Sequence, residues 1–300
     1  MSKLGQVTKG KIHKPYTILI YGPEKVGKST FAAGAPNPIF VGPENGTAQL
    51  DVSRYPSITT WTDLLDSLDD LIKSEHDYKT LVVDSLDWCE PMLFRDIVKA
   101  DAKAKNIETA LGGYGKGYVE ATRRFVEEFL GKIDTLQSVK KMNIIFIGHA
   151  EVTNFSDPYL QTSYNKYDLK LYKRTSSKFK EYVDAVLFAQ YESFAKENDD
   201  GVKTHSTGER VLYTEHQPTF HAGNRYGLPH VIKMDFKEFD RLSKEGNPNS
   251  KEAILQTIES YLPSMPEAII TKSRELIATS TGIEQLIALR DRLKTIVEEK

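Results

Sequence analysis

One cysteine, Cys89, stands in 300 residues, so no intrachain disulfide can form and the chain suits a reducing compartment. A lone thiol of this kind reads as a packed side chain before it reads as a nucleophile. There is no apolar run near the ~20 residues that a membrane helix requires. The opening stretch MSKLGQVTKGKIHK lacks the apolar core of a secretory signal. Charge of neither sign is in excess: 40 basic and 42 acidic residues leave a formal net charge of −2. No global basic field therefore advertises nucleic acid or an anionic membrane, and any anion-binding surface must be local. These absences predict a soluble, cytoplasmic protein with no membrane partner. What is present is ordinary globular composition, 39% hydrophobic and 27% charged, with chain enough for one large domain or two small ones.

Residues 1–14 form a basic arm, with Lys3, Lys9, Lys11 and Lys14 and no acid. Strand-like runs follow at 16–21, 38–42, 79–84, 143–148 and 184–191. Helical spacing appears between them. It is carried by Trp61, Leu64, Leu65, Leu68, Leu71 and Ile72 in 61–72, and by Tyr118, Phe125, Phe129, Ile133 and Leu136 in 118–139. Strands alternating with helices predict an α/β fold, a mostly parallel sheet with helices on both faces. Two stretches break the rhythm. ALGGYGKGY (110–118) holds four glycines, and 150–180 is long, polar and aromatic. Both read as loops, and long loops inside a compact domain tend to be functional or mobile. Residues 209–221 read as a β-hairpin and KEGNPNS (244–250) as a linker. Beyond it lies a helical extension, whose last segment carries Ile283, Leu286, Ile287, Leu293, Ile296 and Val297 on one side. The expected domains are the arm 1–14, a core over 15–245 and the extension 250–300.

The stretch YGPEKVGKST (21–30) follows the apolar run YTILI and precedes a helical pattern. It satisfies G-x-x-x-x-G-K-[ST] through Gly22, Gly27, Lys28 and Ser29. Glycines let the backbone N–H groups of Pro23-Glu24-Lys25-Val26-Gly27 and their neighbours turn around phosphate oxygens, proline excepted. The helix dipole behind Lys28, Ser29 and Thr30 adds positive potential. Lys28 would reach the β- and γ-phosphates of ATP, and the Ser29 hydroxyl would sit on Mg²⁺. Asp84 ends the strand TLVVD and fits the Walker B role on the metal, although it would cap the following helix equally well. Hydrolysis needs a group that handles water. Ser85 follows Asp84, so the base lies elsewhere, and Glu44 just past the strand 38–42 is the candidate if that strand lies beside the P-loop strand. His149 ends the strand at 143–148 and is placed to sense the γ-phosphate.

These residues together resemble the RecA-like recombinase ATPases, and within them the small phage RecA-like proteins linked to single-strand DNA annealing and recombination. YGPEKVGKST is similar to the P-loop of that family, and LVVDS (81–85) to its Walker B strand, including the serine after the aspartate. Glu44 stands in the position of the catalytic glutamate. IFIGHAEV (145–152) is similar to the strand that ends in a γ-phosphate-sensing glutamine, with His149 in its place. GNRYGLP (223–229) is similar to a late motif of the phage group. The resemblance covers roughly residues 15–240. It implies a RecA-like P-loop fold, ATP and Mg²⁺ as cofactors, and a homo-oligomeric ring or filament on single-stranded DNA, with a single-strand-binding protein as a further partner. If the chain is phage-encoded, it implies the host cytoplasm.

The family binds DNA through two loops facing the filament axis. Here they would be 110–118, with Lys116, and 151–178, with Tyr164, Lys166, Tyr167, Lys170, Tyr172 and Lys178. The chemistry agrees. Segment 164–181 carries Lys166, Lys170, Lys173, Arg174, Lys178 and Lys180 against Asp168 and Glu181, with aromatic residues interleaved. Cations track phosphates and aromatic faces stack on bases. A solvated surface loop is the alternative reading. The resemblance also implies a basic residue acting across a subunit boundary, for which Lys173, Arg174 and Arg225 are candidates. The expected function is an ATP- and Mg²⁺-dependent, single-stranded DNA-binding ATPase of phage recombination or annealing. Two other classes stay open, a nucleotide-gated interaction protein with little turnover and a P-loop small-molecule kinase.

Overall fold

The run Thr17–Gly22 is buried at every position and forms β1, inside a sheet that has ten strands among the described residues. The computed structural model describes residues 7, 9, 14–44, 46–157, 162–198, 201–280 and 282–298, and of 193–198 and 201–206 the backbone alone. Most of the basic arm thus lies outside the described residues. From β1 the chain passes through the P-loop into α1 (Lys28–Ala33) and returns as β2 (Pro38–Val41) and β3 (Ser53–Arg54). Then come α2 (Trp61–Lys73), β4 (Thr80–Asp84) and α3 (Leu86–Ala100). Next are α4 (Lys116–Arg124), a π-helical turn over Phe125–Leu130, and α5 (Gly131–Lys140). The strand β5 (Asn143–Asp157) is followed by β6 (Thr162–Leu169) and α6 (Lys173–Tyr182). After these lie β7 (Ala185–Asn198), β8 (Gly201–Tyr213), β9 (Gly223–Asn224), β10 (Val231–Lys233) and α7 (Phe236–Glu245).

The sheet order is β10-β8-β7-β1-β5-β4-β2-β3. From β7 to β3 every pairing in that order is parallel, while β8, β10 and the β5–β6 ribbon pair antiparallel. This is an α/β architecture built on a mostly parallel sheet. β1 has parallel partners on both sides, and both of its faces are covered, so it reads as a continuous apolar run. Leu19 and Tyr21 join the larger core, with Trp61, Phe125, Phe129, Phe146 and Phe179. Ile18 and Ile20 are equally buried on the opposite face, where α1 packs. The Trp61 ring meets Phe125 edge-on at 5.0 Å, and its indole N–H donates to Glu128 at 2.9 Å, so its one polar atom is satisfied within the core.

Three expectations are corrected here. The segment 151–178 is not an open loop. β5 runs on through His149 to Asp157 and pairs with β6, and α6 follows. Val152 opposes Tyr167 and Phe155 opposes Tyr164, the cross-strand pairing of β-branched and aromatic residues that stabilises a ribbon even when its composition is polar. The hairpin expected at 209–221 is instead β7–β8, and residues 199–200 between these strands lie outside the described residues. The glycine-rich 110–118 is a short turn in which Leu111, Gly112, Gly113, Tyr114 and Gly115 all take positive φ, and α4 begins at once behind it.

The contacts divide the chain into two units. One runs to Arg225 and takes in His230–Phe239; the other holds Tyr226–Pro229 and the chain from Asp240 onward. Within the second unit, Ser250 caps α8 (Lys251–Tyr261) by accepting the Ala253 N–H at 3.1 Å. That helix packs with α9 (Glu267–Thr279) and α10 (Ile283–Glu298) around Ile254, Ile258, Leu262, Met265, Leu286 and Leu293.

Candidate functional site

The sheet order decides which side chains meet. β5 lies between β1 and β4, so the P-loop, residue 149 and Asp84 emerge together at the carboxyl ends of parallel strands, the edge where open α/β sheets take ligands. Gly22 is in register with His149, and Asp84 with Ile147. A cleft of about 340 Å³ at this edge is lined by Lys25, Gly27, Lys28, Ser29, Thr30, Glu44, Asp84 and His149. Of the remaining predicted P-loop residues, Gly22 and Pro23 hold Lys28 through their carbonyls. Glu24 lines an adjoining cleft, and Val26 is buried in the packing.

Lys28 is buried, and its ammonium donates to Gly22 O at 3.0 Å and Pro23 O at 2.8 Å. Burial pushes its pKa down, against the pull of Asp84, Asp87, Glu44 and Glu24. Ser29 Oγ donates to Asp84 Oδ2 at 2.7 Å. Burial pushes the Asp84 carboxyl up to about 6; Glu44 adds to the rise, and the Ser29 hydroxyl works against it. A buried carboxylate held to a hydroxyl at the P-loop, and destabilised as an anion by its surroundings, fits a hard cation with oxygen ligands. Mg²⁺ needs only one or two such groups, because phosphate oxygens and water complete its shell.

Glu44 reaches the cleft by a route the sequence did not suggest. β2 is not beside β1; it lies beyond β4, and Glu44 arrives across the end of β4. Gly42 makes this approach feasible: a Cβ there would stand 2.0 Å from Asp84 O. Glu44 Oε2 then accepts a hydrogen bond from Ser85 Oγ at 3.1 Å. His149 is fixed by a residue that sequence reasoning missed. Asp87 accepts the His149 backbone N–H at 3.0 Å and meets its Nδ1 at 2.9 Å. Burial pushes Asp87 up, but the bonds from His149 outweigh it and hold the carboxyl below its usual range. The available signal was an acid in the first turn of α3, which reads as helix capping. A second miss is Arg210 of β8, which lines the same cleft.

The basic and aromatic candidates lie on the ribbon, on α6 and at the start of α4. Lys116, Lys170, Lys173, Arg174 and Lys178 are exposed; Tyr164, Lys166, Tyr167 and Tyr172 are half-buried. Lys178 pairs with Glu181, and Lys180 with Asp168. Lys166 sits 5.2 Å over the Phe155 ring. Two of the tyrosines serve packing: Tyr167 lies 5.4 Å from the Phe188 ring, and Tyr172 stacks on Tyr118 at 4.5 Å. Arg225 donates to the buried Asp184 at 3.1 Å and to Glu181 O, and Lys14 joins it on Asp184 at 2.9 Å. A role for Arg225 across a subunit boundary would have to break that pairing. Sequence reading also passed over Tyr114 and Trp88, the first fully exposed and the second 55% exposed.

The ribbon is tied back to the site through α3. Glu90 is buried and accepts the Tyr172 N–H with both oxygens, at 3.2 and 3.0 Å. Burial pushes it from the ordinary 4.5 up to about 7, which the Tyr172 bond offsets only in part. Its folded pKa exceeds its unfolded one, so the folded chain holds this proton more tightly. The resulting stability is full below about pH 4.5 and is lost as pH rises through about 7. Over that window, wild type should lose on the order of 3 kcal/mol relative to Glu90→Gln. Urea unfolding of both proteins across the window measures it, and parallel profiles would remove Glu90 as the cause.

A family model described as AAA domain matches residues 14–226. No curated protein matches the chain. Among solved structures the chain is similar to the RadB recombinase, with 13% identity and a TM-score of 0.36 over 69% of this chain and 84% of that one. It is also similar to the flagellar accessory protein FlaH from Methanocaldococcus jannaschii, with 11% identity and a TM-score of 0.31 over 67% of this chain and 86% of that one.

Proposed function

The chain belongs to the AAA domain family, and we propose that it is a RecA-like, Mg²⁺-dependent P-loop ATPase whose turnover is coupled to single-stranded DNA in phage recombination or annealing. The observation that carries this reading is the convergence of Lys28, the Ser29–Asp84 pair, Glu44 and His149 on one cleft at the carboxyl edge of the sheet. In the proposed mechanism Lys28 leaves its two carbonyls and binds the β- and γ-phosphates. Ser29 and Asp84 would hold Mg²⁺, whose charge offsets that of the phosphate oxygens. Glu44 takes a proton from the water in line with the γ-phosphate.

Coupling to DNA would run through His149. Its ring nitrogen is set by Asp87, while its carbonyl accepts the Lys170 N–H at 2.9 Å, just past β6. Movement of His149 toward a γ-phosphate would therefore shift the junction of ribbon and α6, where Lys170, Lys173 and Arg174 are exposed. The ribbon and α6 would bind the DNA backbone. A homo-oligomeric ring or filament would give successive copies of these cations a continuous strand to follow. Lys173 and Arg174 stay candidates for a role across a subunit boundary.

The test is steady-state ATP hydrolysis with and without single-stranded DNA, with Lys28→Ala as the blank. DNA should stimulate turnover, and Lys28→Ala should abolish both rates. Turnover indifferent to DNA would keep the ATPase and end the recombination role.

A further inference from the structure

A second cleft, of about 490 Å³, shares Gly27, Thr30 and Arg210 with the Asp84 cleft and continues along Phe31 and Gly34. Arg210 stands at the junction of the two. Its position is built by an irregularity in β8. Tyr191 opposes Arg210 and Ser193 opposes Ser206, so Glu192 alone faces Thr207, Gly208 and Glu209. Such a bulge bends its strand and re-aims the side chains beside it. This one is held in place: Thr207 Oγ1 donates to Glu192 at 3.0 Å and accepts the Glu209 N–H at 3.2 Å, and Gly208 takes φ +78°.

The guanidinium lands on the P-loop. A Cβ on Gly27 would lie 2.5 Å from Arg210 Nη1, and Gly27 itself has φ +105°. Glycine at this position thus serves two needs, a left-handed backbone and room for the arginine. Arg210 is exposed and takes part in none of the ion pairs among the described residues. A cation set against the phosphate loop without a carboxylate partner is suited to an anion that arrives with the ligand, and guanidinium binds phosphate oxygens bidentately.

Resting on the nucleotide site proposed above, we propose that Arg210 is a phosphate ligand supplied in cis, from the same chain as Lys28, to a nucleoside di- or triphosphate. Lys28 and the Ser29–Asp84 pair hold the terminal phosphates. Arg210, between that cleft and the one along Thr30 and Phe31, holds the phosphate chain nearer the sugar.

The test compares wild type, Arg210→Ala, Arg210→Lys and Lys28→Ala in binding ATP, ADP and adenosine by calorimetry, with thermal midpoints to confirm folding. Arg210→Ala should weaken ATP and ADP by about 10- to 100-fold, the range for hydrogen bonds between charged groups, while adenosine is unchanged. Arg210→Lys should recover part of the loss. Equal ATP affinity in wild type and Arg210→Ala, with Lys28→Ala impaired, would overturn the arginine's role and leave the nucleotide site standing. Unimpaired Lys28→Ala would instead overturn the site itself. Mixing Arg210→Ala with Lys28→Ala protein separates cis from trans. At ATP concentrations too low to fill Arg210→Ala sites, mixing should restore no turnover, because every site keeps one defect. Recovery on mixing would show that Arg210 acts on a neighbour's nucleotide and would overturn the proposal.

Discussion

Glu44→Gln should leave ATP binding intact and lower turnover by about 10²- to 10⁴-fold, the usual worth of a positioned general base. The substitution is nearly isosteric. The amide oxygen of the new side chain could still accept the Ser85 hydroxyl, and neither Lys28 nor the Ser29–Asp84 pair is bonded to Glu44. Three carboxylates compete for the role. Asp84 is bonded to Ser29 and buried, which suits a metal ligand. Asp87 has both oxygens on His149. Asp84 and Glu44 both line the cleft with one bond from a serine hydroxyl, but the hydroxyl on Asp84 is that of the P-loop Ser29, whereas Glu44 is held only by Ser85, outside the P-loop, and keeps a second oxygen for water. Single-turnover hydrolysis, read against ATP affinity measured on the same protein, is the check. A variant that hydrolyses at the wild-type rate removes Glu44 as the base and returns the question to Asp87. A variant that loses affinity as well means that Glu44 orders the P-loop instead.

The parts legible in sequence are those fixed by short-range rules. β1 and β4 are continuous apolar runs because both faces are covered, and the P-loop and Asp84 sit at their ends for the same reason. What escaped depends on long-range placement. The position of β2 beyond β4 is set by the crossover order, which strand periodicity does not encode. The ribbon of β5 and β6 reads as a loop in sequence because its pairing lies between Val152 and Tyr167 and between Phe155 and Tyr164. Those contacts are invisible until the two strands are brought together. Asp87 and Arg210 escaped for opposite reasons. An acid in a helix's first turn already has a local explanation, and an arginine within a strand has none until a bulge aims it. The composition count for 164–181 also misled in part. Two of its six cations are spent on Asp168 and Glu181, so the net charge is right while its distribution is not even.

That uneven distribution sharpens the expected result at the nucleic-acid surface. Lys170, Lys173 and Arg174 are exposed and free of ion pairs with the described residues, whereas Lys178 and Lys180 are each paired. Neutralising Lys170, Lys173 and Arg174 together should therefore weaken binding to single-stranded DNA and flatten its salt dependence. Each lost phosphate contact removes about 0.7 from the slope of log K against log salt, so three remove about 2. ATP affinity measured on dilute protein, without DNA, should not change, since none of the three lines the Asp84 cleft of its own chain. Neutralising Lys178 and Lys180 should flatten the slope by less. The Lys180–Asp168 bridge would have to open before Lys180 could meet phosphate, while the Lys178–Glu181 pair is exposed and weak. Fluorescence anisotropy of labelled oligonucleotide across a salt series distinguishes the two variants. A triple variant with the wild-type slope would clear this surface of phosphate contact. Binding would then have to run through Lys116, beside the exposed Tyr114 at the start of α4, where one cation and one aromatic face predict a shallower slope from the outset.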